Sequence, residues 1–218
     1  MDLTEIKLDN KICEIIGAFI GDGYIGKYNN IYTIGFAGNQ KLDEDYINRH
    51  LFNLIIKKFP YTNPHVKYRN DENTIMLRVY SKRLFNLFIN LGFKPGKKSH
   101  SVEIPSLILE NKQFMNFTIR GIFDTDGCIF FDRRKSYKKP YPRITLQTAS
   151  IPLINQLEVY LSKTFKLYVS KSNRDGYRNY IEIYGHKQLE RFLKQIGFSN
   201  KRHLDRICLC SSVVERQT

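Results

Sequence analysis

No apolar run in this 218-residue chain approaches the ~20 residues that would span a bilayer. The first residues, MDLTEIKLDNK, mix acids with bases and hold no apolar stretch of the kind a secretory signal carries. Neither a membrane partner nor a signal peptide is expected. Cysteine is scarce: Cys13, Cys128, Cys208 and Cys210 form no pair of CxxC knuckles, which argues against a zinc site. A reduced, intracellular protein fits this usage, with Cys13 read as a core residue of a helix. Acids are scarce as well. Lys and Arg number 35 against 21 Asp and Glu, a formal net charge of +14. Such an excess serves either a solvated, lysine-rich surface or a polyanionic partner, nucleic acid ahead of membrane. The apolar fraction of 42% suffices for a core, and the length allows one large domain or two small ones.

What the chain does have is a repeat. Ile15 to Gly23 reads IIGAFIGDG and Ile119 to Gly127 reads IRGIFDTDG. Each carries Gly at its third position (Gly17, Gly121) and ends in Asp-Gly (Asp22-Gly23, Asp126-Gly127). The two aspartates are 104 residues apart. A second echo runs from Tyr80 to Leu91-Gly92-Phe93 and from Tyr184 to Ile196-Gly197-Phe198, with the Gly-Phe pairs 105 apart. Each is followed by a basic stretch with a His: Lys94, Lys97, Lys98 and His100, then Lys201, Arg202 and His203. Three features in one order at one offset mark a duplication.

Each half reads helix, two strands, helix, two strands, helix. In the first, Ile12, Ile15, Ile16, Phe19 and Ile20 recur at helical spacing after a capping Asp9 or Asn10. Tyr28 to Ala37 holds a hairpin turning at Asn29-Asn30, and Lys67 to Tyr80 a second, turning within residues 70–73. Between them Leu42, Tyr46, Ile47, Leu51, Leu54 and Ile55 mark a helix, and Ser81 to Leu91 is the third. In the second half Phe114 to Thr125 is helical, and Gly127 to Arg133 and Tyr141 to Thr148 are strands. Ser150 caps a helix with Pro152 near its start. Lys166 to Ser172 and Asn179 to Tyr184 are strands around Arg174-Asp175-Gly176, and Lys187 to Ile196 is a helix. The repeats occupy residues 1–100 and 114–218, joined by 101–113 within a wider connecting stretch from 94. Cys208 to Thr218 shows no assignable pattern. The class is α+β: two pseudo-symmetric αββαββα repeats, each with a four-stranded antiparallel sheet, packed through the two motif helices. Helices cover one face of each sheet and leave the other open. Arg143, Thr145 and Gln147 point to that open face, as do Thr74, Met76, Arg78 and Tyr80.

Gly17 and Gly21 share one helix face, and Gly121 and Thr125 have the same spacing. Gly costs a helix roughly 1 kcal/mol relative to Ala, so two in one apolar helix imply close approach of a partner helix. The duplication supplies that partner. The same packing brings Asp22 and Asp126 together at the helix ends, with Gly23 and Gly127 expected as left-handed stop residues. Two carboxylates at the negative ends of two helix dipoles repel each other and the dipoles. A hard divalent cation resolves this, Mg²⁺ or Mn²⁺, and the carbonyls of Gly21 and Thr125 are placed to add oxygen ligands. Asp124 is read as a polar neighbour, not a ligand.

These two segments resemble the nine-residue motif of the LAGLIDADG homing endonucleases, in the form with two motifs on one chain. The resemblance covers nearly the whole sequence. It implies a monomer with internal pseudo-two-fold symmetry, whose two saddle-like sheets sit on double-stranded DNA, and metal-dependent hydrolysis of both strands at one long pseudo-palindromic site. It places the metal-binding carboxylates on Asp22 and Asp126. A peripheral lysine of the family falls on Lys82 and, in the second half, on Lys187 or its neighbour His186. Its polar pair falls on Gln40 and Lys41, with Ser150-Ile151 a departure in the second half. Arg133, Arg134, Lys135, Lys138 and Lys139, with Tyr137 among them, form the densest basic run and an expected DNA contact. Arg143 and Gln147 are base-reading candidates, with Lys171, Arg174 and Arg178 their equivalents at the other hairpin, and Arg78 is an expected DNA contact on the face of the first sheet. The competing readings within the same fold are a strand-nicking variant, a DNA-binding regulator, and an intron maturase whose partner is RNA.

Overall fold

The computed structural model describes residues 7–134, 136–164, 166–173 and 179–215. The motif helices come first in each half. Helix α1 (Asn10–Asp22) is capped by Asp9, whose carboxylate accepts from the amides of Lys11 and Ile12, both at 2.9 Å. Strand β1 (Gly23–Tyr28) follows with no intervening residue and turns at Asn29, whose φ of 51° is left-handed, into β2 (Ile31–Asn39). Asn39 caps α2 (Gln40–Asp45), which passes through a widened turn at Tyr46–Leu51 into α3 (Phe52–Lys58). Strands β3 (Pro64–Arg69) and β4 (Thr74–Tyr80) form the second hairpin, and Ser81 caps α4 (Lys82–Asn90). A short α5 (Ser106–Leu109) lies in the connection.

The second half repeats the order: α6 (Lys112–Thr125), β5 (Gly127–Asp132), β6 (Tyr141–Thr148), α7 (Ile151–Val159), β7 (Ser170–Asn173), β8 (Asn179–Tyr184) and α8 (His186–Gln195). Both sheets are antiparallel with the same strand order, β1-β2-β4-β3 and β5-β6-β8-β7. The expected strand from Lys166 is shorter than its sequence pattern and begins at Ser170. The tail holds a further helix, α9 (Lys201–Glu215), which the sequence pattern did not reveal because its outer side carries Leu204, Cys208 and Leu209 among charged residues.

The core lies between the sheets' inner faces and the motif helices. Ile34, Phe36, Ile75, Leu77 and Val79 line one sheet, and Ile129, Ile144, Leu146, Ile181 and Ile183 the other, all buried. Each such side chain contributes about 1.5–3 kcal/mol. Phe19 packs edge-on against Phe88 at 4.6 Å and Phe93 at 4.8 Å, and Phe123 meets Phe192 at 5.2 Å, so the aromatic cluster repeats with the chain. Cys13 is fully buried, and burial pushes its thiol up to about 12.

Helices α1 and α6 run against each other along their length, and the glycines explain how. A Cβ on Gly17 would lie 2.1 Å from the Thr118 carbonyl oxygen, and one on Gly121 would lie 2.3 Å from that of Glu14. Gly17 to Thr118 and Gly121 to Glu14 is one contact made twice with the partners exchanged, the pattern of an isologous interface. A Cβ on Gly21 would meet Thr125 Oγ1 at 2.1 Å. Gly23 and Gly127 hold a different role from the one expected. Gly23 is extended, with φ −83°, and neither glycine is left-handed. Both are needed for space, because the chain turns from helix to strand directly over Phe19 or Phe123. A Cβ would come within 2.5 Å of Phe19 Cα or 2.3 Å of the Phe123 carbonyl oxygen.

Candidate metal and nucleic-acid site

The packing of α1 on α6 brings Asp22 and Asp126 together at the adjacent C-terminal ends, where their side chains share a hydrogen bond. Asp22 is half-buried and Asp126 reaches solvent. They line an open cleft of about 460 Å³ with Ile20, Gly21, Gly23, Lys97, Lys98, Ser99, Val102, Gln147, Thr148 and Ala149. Burial, followed by the charges of Asp126 and Asp43, pushes the Asp22 carboxyl up to about 7. Burial also holds Asp126 above the usual carboxylate range.

Two cations stand behind the carboxylates, and neither was assigned to the site from sequence. Lys98 Nζ donates to the carbonyl of Ile20 and to that of Gly21 at 2.5 Å. Arg202 Nη2 donates to the carbonyls of Asp124 at 3.1 Å and Thr125 at 2.5 Å. The two cations are 104 residues apart, as are the two carbonyl pairs. Each thus satisfies orphan carbonyls at the end of its own motif helix and opposes the negative end of the dipole. The Gly21 and Thr125 carbonyls, expected to add ligands to a metal, accept from Lys98 and Arg202 in this structure. Burial pulls Lys98 down to about 8, against the upward pull of Asp126 and Asp22. Arg202 makes a second contact, Nη1 to Asp43 Oδ1 at 2.8 Å.

The segments carrying these cations also clasp the opposite half. Asn200 donates to Asp43 on α2 at 2.9 Å, and its own amide and that of Ser199 donate to the buried Asp124 carboxylate. Asp124 is therefore a structural acceptor, and burial pushes it up to about 7. From the connection, Val102 accepts from the buried Ser150 hydroxyl at 2.6 Å, and Ile104 exchanges two hydrogen bonds with Gln156. Ser150 caps α7 as expected and is fully buried.

The other predicted residues divide. Lys82 and Lys187 do not join the site. Gly23 lies level with Phe36 and Leu77, and Tyr80, which leads into Lys82, is three residues further on, ~10 Å at ~3.3 Å per residue. Gly127, Leu146, Ile181 and Tyr184 repeat this for Lys187. Both lysines are exposed at the far end of their sheets, Lys82 lying 5.6 Å from the Tyr32 ring centroid, and His186 begins α8 at the same far end. Gln40 and Lys41 open α2, just before Asp43, at the aspartates' end of the first sheet. Gln147 lines the cleft itself. Arg78 and Arg143 lie on the open sheet faces. Arg143 is held by Asp132 at 3.3 Å and Glu182 at 3.9 Å. Arg133, Arg134, Lys138 and Lys139 are exposed in the β5–β6 loop, Arg134 pairing with Asp132 at 2.7 Å. Lys171 faces the helical side, where it pairs with Glu158 at 2.6 Å, and so leaves the open face. Lys135, Arg174 and Arg178 lie outside the described residues.

A family model for the LAGLIDADG-like domain matches residues 114–197. The structure superposes on I-DmoI, solved with DNA and Mn, with a TM-score of 0.63 at 16% identity, covering 86% of this chain and 96% of that one. The chain has the LAGLIDADG homing-endonuclease fold. I-WcaI bound to its DNA recognition sequence gives 0.59 at 18% identity over 93% of this chain and 88% of that one. The fold recurs in the N-terminal LAGLIDADG domain of WhiA, at 0.57 and 14% identity over 89% and 85%. By sequence, the chain is 30% identical to part of the replication factor C small subunit of Methanocaldococcus jannaschii, over 94% of this chain and 10% of that protein. It is 28% identical to part of the tRNA-splicing ligase RtcB of Pyrococcus abyssi (86% and 22%). It is 25% identical to part of the RNA polymerase subunit Rpo1C of M. jannaschii (94% and 22%). The chain thus spans between a tenth and about a fifth of the length of these relatives.

Proposed function

We propose that this LAGLIDADG chain is a monomeric, sequence-specific DNA endonuclease that hydrolyses both strands of a duplex with Mg²⁺ or Mn²⁺. The observation that carries the proposal is the pair Asp22 and Asp126, held together at an open cleft between two sheets of a basic protein. Two carboxylates raised by burial, Asp22 also by the charge of Asp126, fit a divalent cation that takes one or two carboxylates and completes its shell with water and phosphate oxygens. I-DmoI has been solved with Mn, Ca and Mg, which is consistent with that class of ion. When bound, such an ion supplies a nucleophilic hydroxide and stabilises the leaving oxygen. The chain's own residues do the rest. Asp22 and Asp126 hold the ion, Lys98 and Arg202 set positive charge behind the scissile phosphates, and Gln147, with Gln40 and Lys41 at the rim, orients water. The open sheet faces and the basic β5–β6 loop grip the duplex.

Matching segments in three otherwise unrelated proteins, each over a minor share of its length, support a module that is inserted into host genes. The duplex spanning the insertion junction of the chain's own gene is then the expected substrate. The test is incubation of that duplex with the protein and Mg²⁺. Cleavage or nicking at the junction supports the reading, and intact DNA under conditions where the protein binds it rejects catalysis. The burial of Ser150 leaves the second half without a match to Gln40-Lys41 and favours unequal cutting of the two strands as the second reading.

A further inference from the structure

The strands of the first sheet carry Lys27, Lys67, Arg69 and Arg78 and no acid, while those of the second carry Arg143 and Lys171 against Asp132 and Glu182. The difference is sharpest at one position. Arg78, on β4, pairs with Gly35 of β2 on one side and His65 of β3 on the other. Glu182 pairs with Thr145 and Ser170 in the same places of the second sheet. The two are 104 residues apart, the offset that also relates Asp22 to Asp126, Lys98 to Arg202 and Tyr80 to Tyr184. The duplication has therefore put an arginine and a glutamate at the same point of two equivalent DNA-facing surfaces. Their surroundings follow suit. Arg78 lies among Tyr24, Tyr80 and the Met76 sulfur, its Nε is buried without a hydrogen-bond partner, and no carboxylate among the described residues pairs with it. Glu182 lies 3.9 Å from Arg143, which also pairs with Asp132 at 3.3 Å.

We propose that the two sheets read the matching base pair of their half-sites in opposite hydrogen-bonding senses, Arg78 as donor and Glu182 as acceptor. An arginine in the major groove meets the O6 and N7 acceptors of guanine, and a carboxylate accepts from the N4 amine of cytosine. The target is accordingly not a palindrome at this position: guanine faces the first sheet, and cytosine takes its place on the strand facing the second. The inference rests on the reading of the sheets as the DNA surface.

The test is selection of duplexes from a library with randomised positions, in Ca²⁺, by the wild-type chain and by Arg78→Gln, Glu182→Gln and Arg143→Gln. The wild type is expected to enrich guanine in one half and cytosine at the matching place of the other. Glu182→Gln should replace that cytosine with adenine, the base a glutamine reads, and leave other positions unchanged. Arg78→Gln should lose the guanine and bind the wild-type duplex about 5- to 150-fold more weakly. Four outcomes overturn the proposal: one base enriched at both places, a Glu182→Gln variant weakened equally on all duplexes, a Glu182→Gln profile unchanged from wild type, or Glu182→Gln and Arg143→Gln shifting the same position. If the wild type binds the library but enriches nothing, sequence reading by the sheets fails first, and the proposal with it.

Discussion

The α1–α6 helix pair keeps its repeat at the residues that make the contact and the helix ends, while the sheets beside it have diverged in charge. At the helix ends Asp22 matches Asp126, Lys98 matches Arg202, and the Gly17–Thr118 contact matches Gly121–Glu14. On the sheet faces Arg78 meets its counterpart as Glu182, and Tyr24 as Cys128. The physical difference is one of constraint. Any side chain on Gly17 or Gly121 collides with backbone, and any loss of Asp22 or Asp126 leaves the other carboxylate alone at the cleft. Outward strand positions pack only on side chains of their own face, which can change together, so the fold constrains them less. What is repeated is held by packing, and what differs between the two sheet faces is left free to change.

The comparison breaks most visibly if the aspartates are not equivalent. Asp22→Asn and Asp126→Asn are each expected to lower cleavage on the order of 10²–10³-fold or more while duplex binding is retained. Strand-resolved gels show whether both strands fail together. Loss of one strand per variant would mean two independent half-sites, and loss of binding would make the aspartates structural.

The next largest effect is expected in the helix contact. Gly17→Ala puts a methyl group 2.1 Å from a main-chain oxygen, so α1 and α6 must separate. The expected cost is about 3 kcal/mol, at the upper end of core overpacking and in spite of alanine's better helix propensity. Gly121→Ala should behave alike. Gly21→Ala meets the Thr125 side chain, which can rotate, and should cost less. Thermal unfolding followed by circular dichroism ranks the three, and an equal cost for Gly21→Ala would refute the distinction between backbone and side-chain contact.

Much of this was legible in the sequence. The Asp-Gly repeat gave the helix pair, Asn29-Asn30 the first hairpin, and Ser81 and Ser150 their caps, because each depends on neighbours within a few residues. Lys98 and Arg202 were visible as basic residues after Gly-Phe, yet their role was assigned to Lys82 and Lys187. Their contacts span 77 or 78 residues, and no local pattern shows where a loop folds back. The equal spacing of 104 was the available signal. The role of Gly23 and Gly127 was misjudged for a related reason: a left-handed turn and a lack of room both demand glycine, and sequence alone does not separate them.

A smaller effect concerns stability without metal. The Asp22 carboxyl sits at about 7 in the folded chain, above its ordinary value of 3.8, because of burial and the nearby acids. A raised carboxylate favours the folded state fully below the unfolded pKa, and that contribution is lost as pH rises through the folded value. In EDTA the melting temperature should therefore fall between about pH 4 and 7 on account of this pair, and Mg²⁺ should restore it at pH 8. Asp22→Asn should flatten the fall and raise stability at pH 8 by about 1–2 kcal/mol, or about 2–8 °C for a chain of this size. A wild-type midpoint rising across that range, with no response to Asp22→Asn, would contradict the assignment.

The finest expected difference separates the two cations. Lys98 is drawn down by burial to about 8, so it loses its charge just above neutrality, whereas a guanidinium keeps its charge throughout. Wild-type cleavage should decline above about pH 8, and Lys98→Arg should remove that decline with little change at pH 7. Arg202→Lys should not mirror it. Arg202 bridges the Thr125 carbonyl and Asp43 with separate nitrogens, and a single ammonium cannot span both in the same geometry. Its expected result is a melting point lower by a few degrees, with the alkaline decline made steeper. If Lys98→Arg leaves the alkaline limb in place, the titrating group lies elsewhere, and the two ends of the helix pair are electrically more alike than their side chains imply.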